Sequence, residues 1–337
     1  MDIMRRLPMN KLVMGRVCEV QKNMYKVLYE GKTINCGLRG NFYHKEEDFP
    51  IVGDYVMFVD VEAGESVIEG ISPRKTVLKR TDISGRNREQ LMVSNVDYLF
   101  IATSLNNNFN VNRIARYITM SISGGVEPVV ILTKADLCDQ TDKFVYEIRN
   151  IANDVKVHVT SGLTGDGINE LKEYFISGKT IAIMGSSGVG KSTLVNAIVG
   201  QNVMKTSAIR EGDDKGRHTT TYRELIEIQE NVWLIDTPGM REFGVCDDDE
   251  GLKDTFSDVI DLISKCRFRD CSHTNEPKCA IKEALANGTL SEERWKLYRQ
   301  LNDENKRNFD AKKIARMRKE IAIEKNNMAQ KYNYLDF

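Results

Sequence analysis

The segment Gly185-Ser186-Ser187-Gly188-Val189-Gly190-Lys191-Ser192, followed by Thr193, constrains this chain more than any other. It fits G-x-x-x-x-G-K-[ST] and lies between the apolar run KTIAIM and the helix-patterned STLVNAI, the setting of a phosphate-cradling loop. Glycines let such a backbone wrap phosphates with its N–H groups aimed inward at a helix N-terminus. Lys191 is then expected to reach the outer phosphates, and the Ser192 hydroxyl to hold Mg²⁺.

The surrounding sequence supplies the sheet that this loop needs. Between about residues 91 and 246, the runs VDYLFIATS, EPVVILTK, VKVHVTS, KTIAIMG and NVWLIDTPG are apolar and β-branched, and each ends at a polar or Gly-rich loop. Helix-patterned stretches such as NRIARYITMSI and KSTLVNAIVG lie between them. This alternation predicts an α/β domain with a mostly parallel sheet, whose ligands bind where the strands end.

Thr133-Lys134-Ala135-Asp136 closes the run VVIL and matches the T/N-K-x-D guanine reader. Guanine presents two adjacent donors, N1–H and the exocyclic amine, and Asp136 can accept both. Adenine would set a lone pair against the same carboxylate, and polar pairing of this kind discriminates by about 10⁴ or more. The Lys134 stem is expected to cover the base. A second loop, beginning Thr160-Ser161-Gly162, follows VKVHV and is expected to offer a backbone N–H to guanine O6.

Asp236-Thr237-Pro238-Gly239 matches D-x-x-G. Asp236 is expected to act on Mg²⁺ through water, and the Gly239 N–H to sense the γ-phosphate. Upstream, Gly216-Arg217-His218-Thr219-Thr220-Thr221 lies in a polar, Gly-rich stretch suited to an order–disorder switch. One of Thr219 or Thr220 is expected to close the Mg²⁺ shell. Where many GTPases orient the attacking water with glutamine, this chain has Met240. Either another group positions the water, with His218 the first local candidate, or hydrolysis waits for a partner; Arg217 and Arg241 are candidates for transition-state charge.

The flanks differ from the centre. LVMGRVCEV, MYKVLYEG, DYVMFVDV and SVIEGI, within residues 10 to 75, are short strand-like runs separated by turns, the pattern and size of an OB-type barrel. After residue 250 the pattern is helical, and Cys266-x₄-Cys271-x-His273-x₅-Cys279 sets three thiols and an imidazole within 14 residues. That is the ligand set of a closed structural Zn²⁺ site. The other four of the seven cysteines are scattered, which argues for a reducing compartment over a disulfide framework. No run approaches a membrane span, and the start MDIMRRLPMN lacks the apolar stretch of a secretory signal, so the expected place is the cytoplasm. The net charge of -1 favours no partner class. Basic residues that could meet RNA phosphates are Arg39, the Arg74 to Arg80 stretch, and the tail from Lys306 and Arg307 through Lys319.

The motif order is permuted: the guanine reader and its companion loop precede the phosphate loop, the switch threonines and DTPG. With GRHTTT, DTPGMREFG and CRFRDCSHTNEPKC, this arrangement resembles the RsgA family of small-ribosomal-subunit biogenesis GTPases. The resemblance implies an OB-fold RNA-binding barrel (1–80), a circularly permuted P-loop GTPase domain (81–246) and a helical zinc-binding C-terminal domain (247–337). It also implies a monomer that binds the small subunit and its rRNA late in assembly, with GTP hydrolysis to GDP and phosphate coupled to release. The competing expectation is an RNA- or protein-binding scaffold that holds nucleotide with negligible hydrolysis; Met240 is the residue that favours it.

Overall fold

The computed structural model describes residues 11–21, 24–40, 42, 49–61, 65–81, 89–105, 109–152, 154–200, 223–236, 252–253 and 255–307. The expected positions His218, Thr219, Thr220, Gly239 and Met240, and the basic tail beyond Arg307, lie outside the described residues. By compactness the chain divides into two units, one of 1–78 with 91–242 and one of 79–90 with 243–337.

The first unit begins with five strands, β1 (Lys11–Gln21), β2 (Met24–Tyr29), β3 (Lys32–Leu38), β4 (Tyr55–Asp60) and β5 (Ser66–Ile71). Their hydrogen-bonded order is β1-β2-β3-β5-β4, and β4 returns to pair with β1, closing the barrel. Alternation puts Val13, Val17, Val27, Val56, Phe58 and Ile68 inside. Cys18 and Cys36 are buried, and burial pushes their thiols up to about 11 and about 12, so both remain protonated. β3 is not legible in the sequence, because its run KTINCGL is too polar to stand out.

The α/β part holds β8 (Tyr98–Ser104), β9 (Glu127–Thr133), β10 (Lys156–Val159), β11 (Thr180–Met184), β12 (Glu224–Gln229) and β13 (Val232–Asp236); β6 (Val77–Thr81) and β7 (Glu89–Ser94), earlier in the chain, pair as a separate two-stranded sheet. The sheet order is β10-β9-β8-β11-β13-β12, parallel throughout except for the antiparallel β12. Helix α1 (Val111–Ser123) packs on β8 and β9, and α2 (Thr141–Ile151) lies against α1 and β10. Helix α3 (Lys191–Val199) buries Leu194, Val195 and Ile198 in the cluster that holds Phe100, Val129, Ile131, Ile181 and Ile183.

Barrel and sheet are one hydrogen-bonded surface, because β1 also pairs with β12 at Glu19 and Glu224. Two buried polar groups hold this joint. Arg16 donates from Nη2 to Thr180 Oγ1 at 2.8 Å and to the Asn95 carbonyl at 3.1 Å, and its guanidinium lies over the rings of Tyr55 and Trp233. Asp54, wholly buried, accepts from Arg74 Nε and Nη2 at 2.8 Å each and from the Ser94 hydroxyl at 2.5 Å. Arg74 is thereby a structural cation, and Arg39 pairs with Glu69.

In the second unit, α4 (Ser257–Ser264), α5 (Ala280–Ala286) and a helical stretch over 292–307 are described. Val259, Phe256, Ile281, Leu297 and Leu301 form its apolar interior. Among the described residues no helix is long and apolar enough to cross a membrane.

Candidate functional site: a cleft at the strand ends and a cysteine–histidine knuckle

Parallel strands deliver their following loops to one edge. β9 ends at Thr133, β10 at Val159, β11 at Met184 and β13 at Asp236, so three motifs and Asp236, the first residue of a fourth, meet there from about a hundred residues of sequence. An open cleft of about 210 Å³ lies at that edge. Thr133, Lys134 and Asp136 line it from one loop, Gly162 and Leu163 from the second, and Gly190 with Thr193 from the third.

Hydrogen bonds tie the three loops to one another. Ser161 Oγ donates to Asp136 Oδ1 at 2.5 Å and itself accepts from the N–H groups of Leu163 and Thr164. Among the described residues nothing bonds Asp136 Oδ2, which leaves that oxygen to accept from a ligand. The Ala135 N–H reaches the Thr160 carbonyl, joining the first loop to the second. Thr133 Oγ1 donates to the Val189 carbonyl at 2.5 Å, joining the first loop to the third. Thr160 and Ser161 are themselves fully buried, so their visible work is to hold loops in place. Ala135 is not part of the cleft lining.

The phosphate-loop geometry follows from its glycines. Gly185 has φ 154°, and a Cβ there would stand 2.3 Å from the Ala102 carbonyl oxygen, so only glycine lets the loop leave β11 this close to β8. Gly162 approaches α3 closely: a Cβ would meet Thr193 Cγ2 at 3.0 Å. Val189 is buried as an anchor, while Ser187 and Gly188 are exposed at the crest and Ser186 is half-buried. Lys191 Nζ sits within the loop, donating to the carbonyls of Gly185 at 2.8 Å and Ser186 at 3.1 Å. Ser192 is in the first turn of α3, and Asp236, half-buried, stands beside Ile183 in the β11–β13 register. An inward-facing ammonium, a helix start without acidic residues, and a carboxylate at the neighbouring strand end fit a Mg²⁺-bound polyphosphate.

Three residues of the cleft, Leu137, Leu163 and Leu194, were not singled out from sequence. Leu137 and Leu163 are 71% and 82% exposed and both line it. Each directly follows a recognised motif, so the available signal was an apolar residue where a loop needs none.

In the second unit, the ligand atoms of Cys266, Cys271, His273 and Cys279 all lie within 4.8 Å of one another. Cys266 Sγ is 3.9 Å from Cys279 Sγ and 3.6 Å from His273 Nδ1, and His273 Nδ1 is 3.4 Å from Cys279 Sγ. Tetrahedral Zn²⁺ with its usual bond lengths has S···S edges of about 3.8 Å and S···N edges of about 3.5 Å. The donor set and its spacing therefore fit zinc. Burial lowers the His273 pKa, favouring the neutral ring that a metal requires. Trp295 packs its ring against His273 edge-on.

Glu276 also escaped the sequence reading. Its carboxylate accepts from the Ser272 hydroxyl and N–H and from the Thr274 and Asn275 N–H groups, which holds its pKa down at about 2. These bonds brace both neighbours of His273, whose φ of 59° is unfavourable for a residue with a side chain.

Comparison with known proteins agrees with this architecture. Residues 71–246 match the RsgA GTPase family and residues 14–68 the RsgA N-terminal domain. A Methanosarcina acetivorans protein named small ribosomal subunit biogenesis GTPase RsgA is 40% identical over 86% of this chain and 79% of its own length. Its counterpart RsgA 1 in Listeria innocua is 44% identical over 86% of this chain and 83% of that protein. Among solved structures, YjeQ from Thermotoga maritima superposes with a TM-score of 0.64 at 30% identity, covering 88% of this chain and 99% of that one. YloQ, described as a circularly permuted GTPase, gives 0.61 at 26%, covering 89% and 98%. With barrel, permuted nucleotide cleft and cysteine–histidine knuckle all in place, this chain belongs to the RsgA family of GTPases.

Proposed function

We propose that this protein hydrolyses GTP while bound to the small ribosomal subunit late in that particle's assembly, and that hydrolysis releases it. The observation that carries the reading is the convergence of the Thr133–Asp136, Thr160–Gly162 and Gly185–Thr193 loops on one cleft, with Ser161 holding one Asp136 oxygen and leaving the other for a ligand. The names of the relatives supply the particle.

In this reading Asp136 accepts the guanine N1–H and amine, the Lys134 stem covers the base, and Gly162 brings the second loop close enough for a backbone N–H to meet O6. The phosphates lie against the N–H groups from Gly185 to Thr193, with Lys191 turning from the loop carbonyls to their oxygens. Ser192 and Asp236, with Thr219 or Thr220, hold the Mg²⁺, whose chemistry is to neutralise charge on the phosphates. Gly239 senses the γ-phosphate, and His218 orients the attacking water. Cys266, Cys271, His273 and Cys279 hold a structural Zn²⁺ that organises the second unit. The working form is a cytoplasmic monomer that contacts rRNA.

The test is GTP hydrolysis by the purified protein, with and without small ribosomal subunits, alongside ATP and a Lys191→Ala variant. Stimulation by subunits, restricted to GTP and lost in the variant, is the expected result. Nucleotide binding without stimulated turnover would instead favour a scaffold that merely holds GTP.

A further inference from the structure

We propose that the tip of the cysteine–histidine knuckle, Arg267-Phe268-Arg269, is an RNA-reading element in which Phe268 stacks an unpaired base and the two guanidiniums hold the flanking phosphates. The proposal rests on the subunit reading above and gives this part of the chain its own task there.

Phe268 lies in the loop between the ligands Cys266 and Cys271 and is 40% exposed, although an aromatic ring ordinarily gains by burial. Its backbone is held at both ends: the Cys266 N–H reaches the Ile263 carbonyl, and the Cys271 N–H reaches the Phe268 carbonyl. The ring is thus presented on a fixed turn. Arg267 places its guanidinium 5.5 Å from the ring centroid. Arg269, next along, is exposed and forms no ion pair among the described residues.

Charge and shape select the partner. Lys265, Arg267, Arg269, Lys278 and Lys282 face only Asp270 and Glu276 in this stretch, and Glu276 is spent on backbone N–H groups. Even with three thiolates around a Zn²⁺, the knuckle is net positive. Among the described residues of the second unit, Phe268 is the only large apolar side chain left exposed. A protein-docking face requires a contiguous apolar centre, which a lone ring flanked in sequence by two arginines does not provide. Single-stranded RNA asks for what is here: a flat ring for a base and cations for the backbone.

The experiment uses the full-length, zinc-loaded protein and an unstructured, fluorescently labelled RNA of about 12 nucleotides, the scale of one single-strand site. Its duplex and intact small subunits serve as further probes. Phe268→Ala is expected to weaken single-strand binding roughly ten-fold or more, the size of one lost base stack, with zinc content and basal GTP turnover unchanged. Phe268→Trp should retain binding, and duplex binding should be indifferent to both. Arg269→Gln should flatten the salt dependence by about 0.7 in log–log slope, one phosphate contact, which Phe268→Ala should leave alone.

Parent-like RNA and subunit binding by Phe268→Ala would overturn the proposal. So would weaker subunit binding with unchanged RNA binding, which would give the tip to a ribosomal protein. Absence of subunit-stimulated GTP turnover in the parent protein would defeat the functional reading instead, and the oligonucleotide result would still decide this one.

Discussion

The nucleotide cleft and the cysteine–histidine knuckle are both built from loops, yet they are held by opposite means. The cleft draws Thr133, Gly162 and Gly190 from separate places in the chain and fixes them on the ends of parallel strands whose interior is closely packed. Its loops are cross-braced by Thr133 to Val189 and Ser161 to Asp136. The knuckle gathers four ligands within 14 residues and has little apolar material between them. One site is organised by the hydrophobic core, and the other must be organised by its metal.

The largest effect should come from removing that metal. A structural zinc contributes roughly 10 kcal/mol or more to folding its own module. Chelation, or Cys279→Ser, should unfold the knuckle and release Trp295 from His273, readable as a change in tryptophan emission. GTP affinity should stay within a few-fold of the parent, because no knuckle residue is among the described residues that line the cleft. A parallel collapse of GTP binding would break the contrast.

Next in size is Asp136→Asn, aimed at the cleft alone. The amide offers a donor where guanine also has one, so GTP affinity should fall by about 10³-fold or more. Xanthosine triphosphate, which carries an acceptor at that position, should bind in its place, with zinc content unchanged. Equal loss for both nucleotides would place Asp136 in a purely structural role.

The smallest effect, Thr133→Val, sharpens the claim of cross-bracing. It leaves the Val189 carbonyl buried without its donor, at a cost of about 1–3 kcal/mol. If Thr133 joins the base-side and phosphate-side loops, affinity for GTP should fall by five-fold or more, while guanosine alone should lose much less. An equal loss for guanosine would show that Thr133 acts only beside the base.

How much of this was legible beforehand varies with the range of the interactions. The phosphate loop, TKAD and the cysteine–histidine spacing were readable because each is a local chemical pattern. The strands flanking them were readable because parallel strands, buried on both faces, are continuously apolar, as TIAIM is. β3 and β12 were not: KTINCGL and ELIEIQ alternate weakly, and their membership is decided by the neighbours they pair with. Within the cleft, Leu137 and Leu163 went unseen because an exposed leucine has meaning only once its surroundings are known. Glu276 escaped because its bonds depend on how the loop turns.

By itself the sequence determined the motifs: the G-x-x-x-x-G-K-S loop, the TKAD tetrapeptide, a cysteine–histidine set with zinc-ligand spacing, and the permuted order that names the family. Each is written in neighbouring residues whose spacing is set by covalent geometry. Only the tertiary structure decided that Arg74 is a buried partner of Asp54, that Arg16 braces the joint of barrel and sheet, and that Phe268 stays partly exposed at the knuckle tip. Burial and pairing join residues tens of positions apart, and no local pattern records which charges the fold consumes and which it leaves to a partner.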